Sequence, residues 1–470
     1  FIVRDDKGNP YGISKYIGSE ILNPLAAVKV AQGYGWSDKI VANVFTEIEL
    51  IQGLKFRSSI GADLAFWGDA SFQPLFYLNS INQNITLNDY TRNNNRGLFY
   101  LWENTLSYQR SIDRHSFTLL AGTSAQKNKG EGNKNTKKGI PVTRIEDASM
   151  NFVVPAENQF SGGYEYENRL ASMFGRLIYN YDQRYMLTAI LRRDGSSRFG
   201  SNKKFGMFPS VSAGWIASSE SFFPQTDKIS FLKLRASYGV NGNDRIENFA
   251  YLSTVSGGRN YTLNGQLITG FSPNAIPNAD LQWEETSQTD IGFDATIFKY
   301  FNVSFDWFNK KTTNMLQRVN VPMYVGNTGP IKNIASMENK GVELELGYRR
   351  QLGKVNLSVS GNVASLRNKV TFITDDLDYL ANRQTFSPQG LEIARTTVGR
   401  PLDYFFGFKT DGLFQNWDDV NNYVNKDGIK LQPNASPGDI RFVDYNGDGV
   451  IDPNDRTMIG NPTPDWSYGF

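Results

Sequence analysis

The chain has no cysteine and a single histidine, His115, in 470 residues. Without cysteine there are no disulfides, no thiolate metal sites and no thiol nucleophile. With one histidine, the usual nucleophile–base pairs are nearly excluded, because such a base must be held by a partner within hydrogen-bond reach. No run of 18 apolar residues occurs, so a helical membrane span is excluded. That absence leaves a barrel open, because lumen-facing residues dilute its hydrophobic signal. The 49 basic and 47 acidic residues leave a net charge of +2, which gives no basic surplus for nucleic acid. Those 47 carboxylates keep a glycosidase pair possible by number alone. No short acidic constellation stands out as one, and the chain is read as a non-enzyme. His115 follows a tight turn and reads as a solvated turn residue.

Aromatic residues make up 13% of the chain, 23 of them Tyr and 32 Phe, enough for girdles at two membrane interfaces. The clearest pattern lies at 338–368, ENKGVELELGYRRQLGKVNLSVSGNVASLRN. Val342, Leu344, Leu346 and Tyr348 alternate with Glu343, Glu345, Gly347 and Arg349. After a turn at Gln351–Lys354, Val355, Leu357, Val359 and Val363 alternate with Asn356, Ser358, Ser360 and Asn362. Period two means strands with unlike faces. The apolar face persists for about ten residues, the length of a transmembrane strand.

Similar hairpins recur along the chain. Val44–Leu50 and Leu54–Leu64 flank Gln52–Gly53. Leu98–Tyr108 and Ser116–Thr123 flank Asp113–Arg114. Met173–Asn180 precedes Tyr185–Arg192, and Ile291–Phe298 precedes Val303–Met315. Ser210–Ala217 and Leu232–Val240 are joined by a longer link. The connectors between hairpins are long: 67–97, 128–167, 241–283, 317–338 and 369–465, with a shorter one at 193–209. Short turns alternating with long loops is the layout of an outer-membrane barrel. A charge on the lipid face at mid-depth costs about 2–4 kcal/mol, so the charged parity should face inward. That places Lys55, Arg57, Asp63, Lys233, Arg235, Asp290 and Asp294 toward the lumen. A lumen holding so many charges is wide.

Longer strings carry a resemblance. ILRRDGSSRFGSNKKFGMFPSVSAGWIASSESFF begins at 190, and LKLRASYGVNGN ends at 243. GLKFRSSIGAD lies at 53–63, NKGVELELGY at 339–348 and FGFKTDGLFQ at 406–415. GDIRFVDYNGDGVIDPNDRTMIGNPTPDWSYGF fills 438–470. Together these resemble the barrel of SusC/RagA-type TonB-dependent transporters of Bacteroidetes outer membranes. The resemblance implies a plug followed by a barrel of about 22 strands, and about thirteen are countable here, the last opening at Trp466. The fold class expected is therefore all-β: a partial antiparallel transmembrane barrel over 1–470, with a long outer loop at 369–465 and the plug absent. No signal peptide is visible, and the chain reads as an internal piece of a longer transporter, with the terminal Phe470 a coincidence. The resemblance further implies import of oligosaccharide or peptide. It implies a SusD-like surface lipoprotein as lid, and energy from the TonB complex through the plug. Outer-membrane lipid is the remaining partner. A passive porin and a secreted soluble β-rich glycan-binding protein are the alternatives.

One local motif stands apart. Asp444-Tyr445-Asn446-Gly447-Asp448-Gly449-Val450-Ile451-Asp452-Pro453-Asn454-Asp455 fits the spacing D-x-[DN]-x-[DN]-G with a carboxylate at position 12. Hard oxygen ligands at this spacing, with glycine at position 6, suit calcium. The expected ligands are Asp444, Asn446, Asp448, Asp455 and the Val450 carbonyl, with Asp452 helping directly or through water. The role of the Ca2+ would be structural. The loop departs from the EF-hand in its final Asp and in lacking signs of flanking helices. The other reading is an Asx- and Gly-rich turn without metal. KNKGEGNKNTKKG at 127–139 reads as a solvated loop tip, with contact to anionic lipopolysaccharide as the second reading. Phe66, Trp67, Phe72, Phe76 and Tyr77 read as loop or interface packing at the start of another outer loop.

Overall fold

The computed structural model describes residues 28, 30–77, 83–224, 226–319, 321–375, 377–383 and 392–470. Thirteen strands pair in chain order in one sheet. They are β1 Gln32–Ile51, β2 Leu54–Gln73, β3 Asp89–Ile112, β4 His115–Lys138, β5 Gln159–Tyr181, β6 Tyr185–Ser196 and β7 Phe205–Ile216. There follow β8 Ile229–Asn243, β9 Glu284–Ile297, β10 Phe301–Arg318, β11 Ile331–Leu352, β12 Val355–Ile373 and β13 Trp466–Gly469. The order is linear, with β1 and β13 at its two ends. Among the described residues no pairing joins those ends, so this is an open wall.

The chain divides into two compact units, one of 1–107, 121–173 and 194–197, the other of 108–120, 174–193 and 198–470. In the second unit the register aligns the parities the sequence predicts. Trp215, Leu234, Phe293, Phe305, Leu344, Val363 and Tyr468 stand side by side across seven strands. One residue along, Gly214, Arg235, Gly292, Asp306, Glu343, Ala364 and Ser467 form the next row, on the opposite face. Leu346, Val355, Leu357 and Val359 are exposed, and so are Glu343 and Glu345. A contiguous exposed apolar face of this kind marks a surface made for another phase. The first unit repeats the pattern: β1 pairs with β2 so that Ile40, Val44 and Ile48 meet Leu64, Ile60 and Phe56, while Glu47 meets Arg57.

The packed apolar cores lie at the loop ends of the strands. In the first unit Ala70, Phe72, Tyr90, Ile140 and Val154 pack the 139–158 connector onto β2 and β3. In the second, Ile334, Ala335, Val370, Ile373 and Leu380 anchor the long segment after β12. Trp283 also packs on Phe199 and Phe208, with ring centroids 5.2 and 5.3 Å away.

The short turns of the second unit lie along one rim, stitched by backbone hydrogen bonds. The Asp182 amide donates to Arg114 O at 2.8 Å, Ile216 to Arg184 O at 2.8 Å, Phe298 to Lys228 O at 3.0 Å, and Arg349 to Tyr300 O at 3.0 Å. Asp182 and Gln183 (φ 52 and 54) and Phe298 and Lys299 (φ 50 and 64) are left-handed pairs, which match the twist of tight hairpins. Rings line this rim: His115–Tyr181 at 4.8 Å, Tyr181–Tyr185 at 6.1 Å, Tyr185–Trp215 at 6.5 Å and Trp215–Phe222 at 6.3 Å. This is an interface belt. His115 belongs to it, with Nδ1 2.8 Å from the Tyr179 hydroxyl, and is more than a solvated turn residue.

Several expected loops prove to be strand. β3 and β4 are 24 residues each, about 80 Å at a strand's rise. The predicted loop tip at 127–139 therefore lies within β4 as far as Lys138. Phe66, Trp67 and Phe72 lie in β2, and only Phe76 and Tyr77 lie beyond it, in a two-residue strand. The reason is physical: once a strand leaves the membrane both faces meet water, and the apolar alternation stops while the pairing continues.

Candidate functional site

On the polar face of the second unit, Arg235 of β8 gathers carboxylates from two other strands. Its Nη1 and Nη2 donate to Asp306 Oδ1 and Oδ2 at 2.8 and 2.9 Å. Nε lies 2.9 Å from Asp294 Oδ2, and Nη2 also donates to Asp294 Oδ1 at 3.1 Å. The bidentate geometry is one that only arginine provides. Asp306 sits two strands from Arg235, and the residue between them in register is Gly292. A Cβ there would strike Asp306 Oδ1 and the Phe305 carbonyl. The missing side chain is what lets the guanidinium bridge across β9. Ser304 donates to Asp294 at 2.9 Å and Ser237 to Asp290 at 3.0 Å. A recess of about 290 Å³ opens here, lined by Thr188, Ser212, Lys233, Arg235, Asp290 and Asp306 among others. With both signs of charge and several hydroxyls, it suits polar, hydrogen-bonding surfaces.

The sequence predicted Lys233, Arg235, Asp290 and Asp294 on this face, and the structure brings them together. It left Asp306 and Gly292 unmentioned. Asp306 carried a signal, a charge at lumen parity in its strand; Gly292 takes its meaning only from the register that sets it between Arg235 and Asp306. On the polar face of the first unit, Lys39 pairs with Asp63 at 3.0 Å, and Asn93 Nδ2 reaches both Asp69 oxygens at 3.0 and 2.9 Å.

The connector between β12 and β13 has a fold of its own. Leu380–Arg383, Ala394–Thr396, Tyr404–Phe408 and Arg456–Gly460 form a four-stranded sheet. Thr410–Leu413 pairs with Ile440–Phe442, and a short helix spans Trp417–Asn422. The Arg395 guanidinium lies between the Tyr379 and Phe406 rings, 3.8 and 3.7 Å from their centroids.

Residues 444–455 form a loop with strand before it and a single 3-10 turn, Pro453–Asp455, at its end. Gly447 and Gly449 take φ of 76 and 87, which only glycine adopts without strain. Asp444 accepts from the Gly447 and Gly449 amides, both at 2.8 Å. Asn446 Oδ1 accepts from Asp448 at 2.8 Å, Asp448 Oδ1 from Val450 at 2.9 Å, and Asp452 Oδ1 from Asn454 at 2.7 Å. Asp455 is fully buried and takes three amides: Tyr445 at 2.8 Å, Asn446 at 3.2 Å and Asp452 at 2.8 Å. Burial pushes its carboxyl up, but the amides of Asp452, Asn446 and Tyr445 outweigh that and hold it below the usual range. Among the described residues no three acidic or histidine side chains stand grouped around a metal position. Asp455 is thus the internal anchor of the loop. Asp444, Asn446, Asp448 and Asp452 are hard oxygen donors, and an oxygen that accepts one amide keeps a lone pair.

A wall with one open apolar face and one charged face, rings along its short-turn rim and long built connectors is that of an outer-membrane β-barrel. A family model described as "TonB dependent receptor-like, beta-barrel" matches residues 21–468, and the chain belongs to that family. It is 30% identical to a TonB-dependent receptor of Formosa agariphila, over 97% of this chain and 44% of that protein. It is 27% identical to the TonB-dependent receptor SusC of Bacteroides thetaiotaomicron, over 95% and 43% respectively. The structure of the RagAB peptide transporter superposes with a TM-score of 0.80 at 23% identity, covering 99% of this chain and 49% of that one. The chain spans about half the length of the relatives it matches. The protein resides in the outer membrane, as the proteins of this family do.

Proposed function

We propose that the full-length protein imports an oligosaccharide or a peptide across the outer membrane. Energy comes from the TonB complex acting through a plug, and a SusD-like surface lipoprotein serves as lid. The observation that carries this reading is the charged, hydroxyl-rich face around Arg235, Asp294 and Asp306. That face fits a wide lumen lined for polar cargo. The likeness in fold to a peptide transporter supports the peptide class, and the hydroxyl-rich, hydrogen-bonding face suits oligosaccharide as well. Uptake of labelled oligosaccharide and oligopeptide by cells carrying the full-length protein tests the proposal. Energised import should stop when the proton gradient is collapsed. Uptake that continues would mean a passive pore.

Calcium at 444–455 is the second part of the proposal. It rests on the donor chemistry of Asp444, Asn446, Asp448, Asp452 and the Val450 carbonyl at a spacing suited to a hard cation. In that site these residues would hold the ion, which would supply positive charge to a loop that has only acidic groups. Its role is to brace the outer segment against which the lipoprotein closes. Calcium titration of the full-length protein and of an Asp444→Ala, Asp448→Ala variant tests it. Equal binding, or none to either, would leave the loop as a bare turn.

A further inference from the structure

The apolar face of the first unit ends abruptly toward the loops. On β2 it runs through Ile60, Leu64 and Phe66, all exposed, and on β3 through Tyr100 and Trp102. On β4 and β5 the same face carries Ala121, Ala125, Ala171 and Met173. Beyond Leu98 on β3, and directly on β4 and β5, residues of that parity are charged. Arg96 meets Glu131 at 2.7 Å, Lys129 meets Glu165 at 2.9 Å, Lys127 meets Glu167 at 2.9 Å and Arg169 meets Glu167 at 2.6 Å. Four cations thus face three carboxylates, directly above a surface that faces hydrocarbon.

Two recesses sit at this border and share Phe66, Arg96 and Glu131. The lower, about 300 Å³, has Leu64, Phe66 and Leu98 on one side and Arg96, Lys129 and Glu131 on the other. The upper, about 450 Å³, adds Trp36, Asn94, Asn133 and Tyr164. Trp102 Nε1, within the apolar band, donates to Ser58 Oγ at 3.2 Å, as a ring at a polar boundary does. From the membrane outward the order is apolar floor, cationic rim, then ring and amides. That is the order of acyl chain, phosphate and sugar in a phosphorylated glycolipid. Arginine and lysine bind phosphate, and aromatic rings with amide side chains bind sugar faces and hydroxyls.

We infer that this outward face of β2–β5 is a site for a phosphorylated glycolipid of the outer leaflet. Continuity with the lipid-facing surface selects that occupant. A soluble anion would have no use for Leu64 and Leu98. Lys127 and Lys129 act here as strand residues beside the membrane.

The test uses the full-length protein purified from outer membranes in mild detergent, with bound lipid measured by native mass spectrometry. The parent should carry the phosphorylated glycolipid, and Arg96→Gln with Lys129→Gln should lower its occupancy at least about fivefold, near 1 kcal/mol. Lys39→Gln, on the opposite face, should leave occupancy unchanged. A second measurement uses the parent alone in nanodiscs, offered the glycolipid with and without its phosphates. Retention should fall severalfold for the dephosphorylated lipid. Equal occupancy in parent and double variant, equal retention of the two lipids, or no bound glycolipid in the parent would overturn the inference.

Discussion

Two acidic sites of the second unit answer the same problem differently. Around Arg235, Asp294 and Asp306 share one guanidinium that reaches across β9. In the 444–455 loop, Asp444, Asp448, Asp452 and Asp455 lie within twelve residues with no basic side chain in the loop, and backbone amides are their partners. The first site has its cation built in. The second is ordered by dipoles alone, and the calcium proposed for it would be its first counter-charge. The wall should therefore be indifferent to calcium and sensitive to loss of one arginine, and the outer segment the reverse.

The largest effect expected is from Gly292→Val. The new side chain meets Asp306 and the Phe305 carbonyl, so overpacking adds to a broken bridge, and about 3 kcal/mol of wall stability should be lost. Arg235→Ala should cost less, about 1–3 kcal/mol. Breaking a fully buried pair costs more, but these carboxylates are a quarter to a third exposed. Unfolding of the full-length protein in detergent measures both. If chelator shifts these transitions as much as it shifts the outer segment, the contrast between the two sites fails.

Calcium comes next. At a concentration of about 100 times the dissociation constant, it should stabilise the segment 374–465 by about 2.7 kcal/mol. The readout is limited proteolysis of that segment with calcium and with chelator. Asp444→Ala with Asp448→Ala should remove the difference, and protection that persists in the variant would assign it elsewhere.

A smaller effect is expected from pH. The Asp455 carboxyl is held below its ordinary value, which is about 3.9 in an unfolded chain. A depressed carboxyl contributes stability that is fully present above the unfolded value. That contribution is lost as pH falls through the native one. In chelator, the protection of the Tyr445 and Asn446 amides relative to their intrinsic exchange rates should therefore be high at neutral pH and fall below about pH 4. Asp455→Asn should flatten that dependence. An unchanged profile would remove Asp455 from its anchoring role.

The wall was legible in the sequence because the bilayer writes its alternation there. All thirteen strands of the sheet coincide with predicted ones, down to β13 opening at Trp466. Their lengths were not legible. β4 runs on to Lys138 through KNKGEGNKNTKK, where neither face meets lipid and no hydrophobic period remains. The strands between β12 and β13 escaped for a similar reason. They are three to five residues long and depend on tertiary anchors such as Val370 and Ile373. Gly292 escaped because its meaning lies in register: a glycine shows itself as a window only once Arg235 and Asp306 are seen on either side. The spacing of 444–455 was legible. The use of Asp455 as a buried acceptor of three amides was not, since a terminal acidic residue at position 12 looks like a ligand in sequence.

The central claim is that the parity joining Leu344, Leu346, Val359 and Val363 faces lipid and the parity of Glu343, Glu345 and Ser358 faces the lumen. The absence of cysteine from the chain makes single-cysteine labelling direct. Spin labels placed one at a time from 342 to 348 and from 355 to 363, in the full-length protein in bilayers, report contact with oxygen from the lipid and with a water-soluble relaxant. The account predicts alternation with a period of two, with oxygen contact highest at 344, 346, 359 and 363 and relaxant contact highest at 343, 345 and 358. The opposite phase, or no alternation, would contradict it.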